Sequence, residues 1–354
     1  MLRKKRSLTL ESLESRELKA GDVAANLQNG SLYLTEAAGQ AGKDNSVIVS
    51  ELPNGLVRVQ GNATNDGSVS KVDGSAYQDF RVTGSLNVNF GAGNDKVVLG
   101  GEGVPAMSPI VSAVNIDVSA PQPVNAQVAP AIATAATNAA VTTPVVSDID
   151  DVVVWGVHVA GSMSINTGIG SDYVFISNAN IGTAGSGNLS INTGIGSDGV
   201  DIENGSGFIN GSVTVQMNGL SSDVDGATLD GVYNQGSIQV NTGAGNDSVH
   251  LTDIGSYANV NLSTGAGNDS VTLTNVYATD EIMASLGDGN DSLNVDYLTS
   301  KYIDLDGGAG TNSLTISKNL FGVGGGTDTL NEIGWAYING RYVPPRTVGA
   351  AGAY

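Results

Sequence analysis

Six aspartates in this chain share one local setting. Asp95, Asp172, Asp198, Asp247, Asp269 and Asp291 each close a unit Gly-x-Gly-x-Asp, written GAGND, GIGSD, GIGSD, GAGND, GAGND and GDGND. The glycines of the last three units are Gly243 and Gly245, Gly265 and Gly267, and Gly287 and Gly289. Glycine permits positive φ and close backbone approach, and aspartate bonds nearby amides while offering a hard oxygen donor. The last three units recur every 22 residues. Weakened copies follow Gly219 (GLSSD) and Gly308 (GAGTN, with Asn312 in the Asp position). If the units stack, their carboxylates form a row with a spacing of about 4.8 Å. Like charges that close repel. A calcium ion between successive corners would relieve the row, joining two carboxylates with glycine carbonyls. The same residues equally suit a metal-free corner, in which Asn and Asp side chains cap stacked amides.

Short alternating runs must position these corners. Ile238-x-Val240 and Val260-x-Leu262 precede them, and Val249-x-Leu251, Val271-x-Leu273 and Leu293-x-Val295 follow. A period of two marks strands with one buried face. Two strands of four or five residues leave roughly ten more in each repeat, too many for a hairpin. The pattern therefore predicts an all-β chain, a parallel β-helix or β-solenoid with about 22-residue coils. Val249 should lie over Val271, within a dry column of Val, Ile and Leu. The pairs Asn166-Thr167, Asn192-Thr193 and Asn241-Thr242 read as side-chain hydrogen-bond ladders.

The repeat divides the chain. Residues 1–21 read as a basic targeting leader, and 22–100 as degenerate N-terminal coils in which Asn45-Ser46-Val47-Ile48-Val49 echoes the segment after each corner Asp. Residues 101–150 are rich in Ala, Pro and Val and read as an insertion or linker. The main repeats occupy 151–317. Residues 318–354 form a cap and tail, with Asn339-Gly340 as the turn of a C-terminal hairpin that closes the last coil.

Composition limits the functions. The 354 residues include 35 Asp+Glu against 15 Lys+Arg, for a net charge of −20. Nucleic acids and anionic lipid surfaces need clustered cations, so both are excluded as partners. The absence of cysteine removes disulfides and thiolate metal sites. No apolar run is long enough for a transmembrane helix. His158 and His250, the two histidines, sit in no nucleophile or metal motif. A polysaccharide lyase would want Lys or Arg near its substrate, and a hydrolase paired carboxylates on an open face. The expectation is a non-enzymatic chain, with a carbohydrate-active β-helix enzyme as the alternative.

Two resemblances add to this reading. TGAGNDSVH (242–250) and TGAGNDSVT (264–272) resemble the RTX-type, haemolysin-like calcium-binding repeat Gly-Gly-x-Gly-x-Asp-x-apolar-x, except that Thr replaces the first Gly. Thr167 and Thr193 stand in that place in two further copies. The resemblance implies calcium between successive turns, held by Asp247, Asp269 and Asp291 and then by Asp95, Asp172 and Asp198. Arg3 to Arg6 and the run Leu10-Glu11-Ser12-Leu13-Glu14-Ser15-Arg16 resemble an N-terminal signature of planctomycete extracellular proteins. That implies an extracellular or cell-surface location. The expected role for the whole chain is structural, in a matrix or in adhesion, with calcium ions and surface polysaccharide or other matrix proteins as partners.

Overall fold

The computed structural model describes residues 20–100, 113–119 and 149–317. It also describes the backbone of the strands Leu320–Gly322, Thr329–Ile333, Trp335–Ile338 and Arg341–Tyr342. Apart from Ala20 and Gly21, the expected leader lies outside these residues, as does most of the expected insertion. Among the described residues every regular element is a strand, and no helix is long and apolar enough to cross a membrane.

The strands build a parallel β-solenoid of about 8 turns. Each coil runs along a first sheet, turns the glycine corner, runs along a second sheet, turns again and returns by a short third side. Ile238 pairs with Val260, Val260 with Ile282 and Ile282 with Ile303 on the first sheet. Val249 pairs with Val271, Val271 with Leu293 and Leu293 with Leu314 on the second. All of these side chains are buried. Full burial of one such side chain contributes roughly 1.5–3 kcal/mol. The core is a stack of such rungs, and the alternation in the sequence is its direct cause.

Coils average about 24 residues, slightly above the expected 22. The corner aspartates of the later coils are 22 residues apart, but Asp172, Asp198 and Asp225 are separated by 26 and then 27. The extra residues sit in the turns on either side of the short third-side strands and in one glycine corner.

The region expected as an insertion or linker contains a strand. Val114–Asp117 lies between Leu86–Asn89 and Met163–Asn166 in the first sheet. The second-sheet strand that follows it is Asp151–Trp155, parallel to Lys96–Gly100. Residues 120–148, outside the described residues, separate Ser119 of that coil from Ile149 and the corner residue Asp150 in chain order.

At the N-terminal end the coil gives way to antiparallel pairing. Val23–Gln28 folds back on Ser31–Glu36. Ser46–Glu51, Val57–Gly61 and Tyr77–Phe80 form a meander beside the first coil. At the other end Trp335–Ile338 and Arg341–Tyr342 form the expected antiparallel hairpin, and its first strand continues the second sheet. On the first sheet's outer face, the Asn192 amide donates to Asn166 Oδ1 at 2.7 Å and the Asn218 amide donates to Asn192 Oδ1 at 2.8 Å.

Candidate functional site

Stacking brings the corner aspartates into one hydrogen-bonded column. The Asn45 N–H donates to Asp95 Oδ1 and the Asp95 N–H to Asp150 Oδ1, each at 2.7 Å. The Asp150 N–H donates to Asp172 at 3.0 Å, and Asp172 to Asp198 at 2.9 Å. The sequence continues through Asp225, Asp247, Asp269 and Asp291 and ends at Asn312 Oδ1, every bond at 2.9 Å. All six aspartates expected at corners are members, and each is 1–4% exposed.

Glycine makes the stack possible. At Gly267, φ is +144°, and a Cβ would lie 1.4 Å from the carbonyl oxygen of Gly245 one coil back. At Gly265, φ is +89°, and a Cβ would lie 1.7 Å from the Gly243 oxygen. No side chain fits there. Gly287 and Gly289 stack on Gly265 and Gly267 in the same way. The carbonyls of Gly243, Gly265 and Gly287 accept N–H groups from Ala266, Asp288 and Ala309. The corner is thus a second ladder of backbone bonds beside the carboxylates.

The electrostatics are costly. Oδ1 is held by an N–H, but the Oδ2 atoms of Asp95, Asp225, Asp247 and Asp291 are buried without a hydrogen-bond partner among the described residues. Burial pushes Asp95 and Asp225 up to about 8, against the N–H bonds that pull them down. The charges of Asp198, Asp247 and Asp223 add to the rise at Asp225. Burial lifts Asp198 and Asp291 to about 6 and also raises Asp269, while the hydroxyls of Thr193 and Thr264 oppose it at Asp198 and Asp269. A buried carboxylate in this position calls for a proton or a cation.

No family model, curated protein or solved structure matches the chain. The geometry itself must carry the reading.

Two members of the column escaped sequence reasoning. Asp150 has no Gly-x-Gly before it, the five residues that end in it being Val146-Ser147-Asp148-Ile149-Asp150. Asp225 was displaced: the GLSSD copy pointed to Asp223, yet the column residue stands two positions later, and the Asp223 side chain instead accepts the Leu220 N–H. The surviving signal in both cases is an Asp two residues before an alternating apolar pair: Asp150 before Val152-x-Val154, and Asp225 before Ala227-x-Leu229. Asn45 and Asn312 hold the column's two ends.

The Thr that replaces the repeat's first glycine points inward. Thr167, Thr193, Thr242 and Thr264 are fully buried, and Phe90, Val118, Met217 and Leu286 fill the same corner in other coils. Thr264 Oγ1 donates to the Leu286 carbonyl at 3.0 Å and Thr242 Oγ1 to the Thr264 carbonyl at 3.4 Å. The position is a core-filling one, so the sequence retains bulk there. Corners with Thr keep an extra oxygen beside the carboxyl; those with Phe90 or Leu286 do not.

An all-oxygen donor set with buried, unpartnered carboxylate oxygens fits a hard cation such as calcium. The carboxylates stand in line, however, and among the described residues no three acids or histidines converge on one point. Any ion would have to complete its shell from the corner carbonyls and the Thr hydroxyls. His250 is an outward residue, aligned with Thr228 and Thr272, and its Nε2 lies 3.1 Å from Ser248 Oγ.

Proposed function

We propose that this chain is a non-enzymatic, extracellular or cell-surface β-solenoid whose acidic corner column is stabilised by calcium. The observation that carries this is the row of buried carboxylates, in which the Oδ2 atoms of Asp95, Asp225, Asp247 and Asp291 have no hydrogen-bond partner among the described residues. Calcium would be held first at the corners of Asp247 and Asp269, where Thr242 and Thr264 add hydroxyls. The Oδ2 atoms of the aspartates and the carbonyls of the corner glycines would be its ligands. Bound, it would neutralise the row and tie successive coils together. Because it binds the folded coil and not the unfolded chain, it stabilises by linkage.

The regular row of acids lies inside the coil, closed to any substrate, which favours a structural role over hydrolysis. The acidic net charge and the N-terminal signature favour the surface location and a matrix or adhesion role. Metal analysis of protein purified in calcium buffer tests the reading. Calcium retained in proportion to protein supports it, and protein that emerges metal-free defeats it.

A further inference from the structure

Away from the column, the third side of the later coils carries a notch of about 330 Å³ lined by aromatic and polar side chains. The register aligns Tyr233 with Gly255 and Gly255 with Tyr277. The two tyrosines are therefore two coils apart, a separation of about 9.6 Å. Gly255 lies between them and is covered by the Tyr233 ring, which a Cβ at that position would meet at 2.6 Å. Tyr257 stands at one side and the pair Asp253 and Asn275 at the other, with the Asn275 amide donating to Asp253 Oδ1 at 2.6 Å. Tyr233, Tyr257 and Tyr277 are 46%, 60% and 38% exposed. In the next coil Tyr297 holds φ +57° at the position aligned with Asp253 and Asn275, a conformation that bulky residues seldom adopt.

We infer that this notch binds a neutral carbohydrate chain. Tyrosines present rigid amphipathic faces at small entropic cost, and such faces stack on the C–H side of a pyranose ring. Tyr233 and Tyr277 rise from backbones about 9.6 Å apart along the stack, and their exposed faces, with Tyr257, suit a chain of two or more sugar rings lying across the coils. The Asn275 amide gives one of its two N–H donors to Asp253. The remaining oxygens of that pair are acceptors, suited to a ligand rich in hydroxyl donors. The lining holds no Lys, Arg or His and the chain carries a net charge of −20. Uronates, sulfated glycans and phosphates are therefore poor occupants. This deepens the surface role proposed above and is independent of calcium in the column.

The test titrates the full chain, folded in calcium buffer, with short neutral oligosaccharides of glucose, mannose and N-acetylglucosamine. An oligouronate and tetramethylammonium serve as comparison ligands. Saturable binding of a neutral oligosaccharide is expected by calorimetry, weakened roughly tenfold by Tyr233→Ala or Tyr277→Ala. Both side chains are exposed, and circular dichroism melts check that the variants remain folded. Asp253→Asn, milder still, should alter affinity without altering the fold. Three results would overturn the inference: no neutral sugar binding at millimolar concentration, binding indifferent to both tyrosines, or preference for the oligouronate or the quaternary ammonium. Repeating the titration in chelator separates the two readings, since calcium-independent folding with intact sugar binding would sink only the column.

Discussion

The middle of the corner column and its two ends make the same hydrogen bond with different chemistry. Asn312 Oδ1 accepts the Asp291 N–H at 2.9 Å, the distance at which Asp291 Oδ1 accepts from Asp269. The other atom differs. Asn312 Nδ2 donates to the carbonyls of Gly307 and Gly308, whereas Asp291 has in that place an oxygen without a donor. At the far end, Asn45 Nδ2 likewise donates, to the Lys43 carbonyl at 2.9 Å. The ladder therefore needs an acceptor at Oδ1 and is served by a donor at the second atom. The negative charge of the central aspartates is surplus to the fold, and holding it inside the coil requires a cation or a proton.

Substitutions can break or sharpen this comparison. The largest effect is expected where the stack itself is destroyed. Gly267→Ala would place a methyl against the Gly245 carbonyl and force a left-handed alanine. A loss of at least about 4 kcal/mol is expected in urea unfolding, with or without calcium. A loss below 1 kcal/mol would mean that the corners do not stack as described.

Asp269→Ala comes next. It removes the acceptor for the Asp247 N–H and strands a buried donor, which costs about 1–3 kcal/mol. Asp269→Asn restores the acceptor and supplies the donor found at Asn312. In chelator it should match or exceed the wild type in stability; in calcium it should fall behind. Equal losses for Ala and Asn would show that the charge, not the hydrogen bond, supports the coil.

The pH dependence in chelator reads the column as a whole. A folded carboxyl raised to about 8, as at Asp95 and Asp225, keeps its proton where the unfolded chain has lost it. The folded state then binds more protons, so stability falls as pH rises. It should be greatest near pH 4, about the unfolded carboxylate value, and decline through the values of about 6 at Asp198 and Asp291 and about 8 at Asp95 and Asp225. Calcium should flatten the slope by taking the proton's place. A wild-type melting temperature that climbs from pH 4 to 8 in chelator would contradict this.

Much of the fold was legible because a solenoid writes each constraint several times. The alternation of Val249-x-Leu251 and Val271-x-Leu273 gave the strands, and the recurring glycines gave the corners. Asp150 and Asp225 were hidden because corner length varies where no ladder crosses it. The inward side of Thr242 and Thr264 was hidden for another reason: Thr suits either face of a strand, and only the register with Met217 and Leu286 shows which one it occupies. The tyrosine notch has no repeating pattern, since Tyr233, Gly255 and Tyr277 meet only through stacking. The antiparallel strands beside the first coil were similarly unreadable, because a hairpin and a coil use the same alternation.

On the proposed reading, a cation offsets the buried charge of the column. Thermal melts of the wild type and Asp269→Asn at pH 7, each in calcium and in chelator, test it most directly. Calcium is expected to raise the wild-type midpoint by several degrees and that of Asp269→Asn by less. Identical wild-type midpoints in calcium and chelator would contradict it.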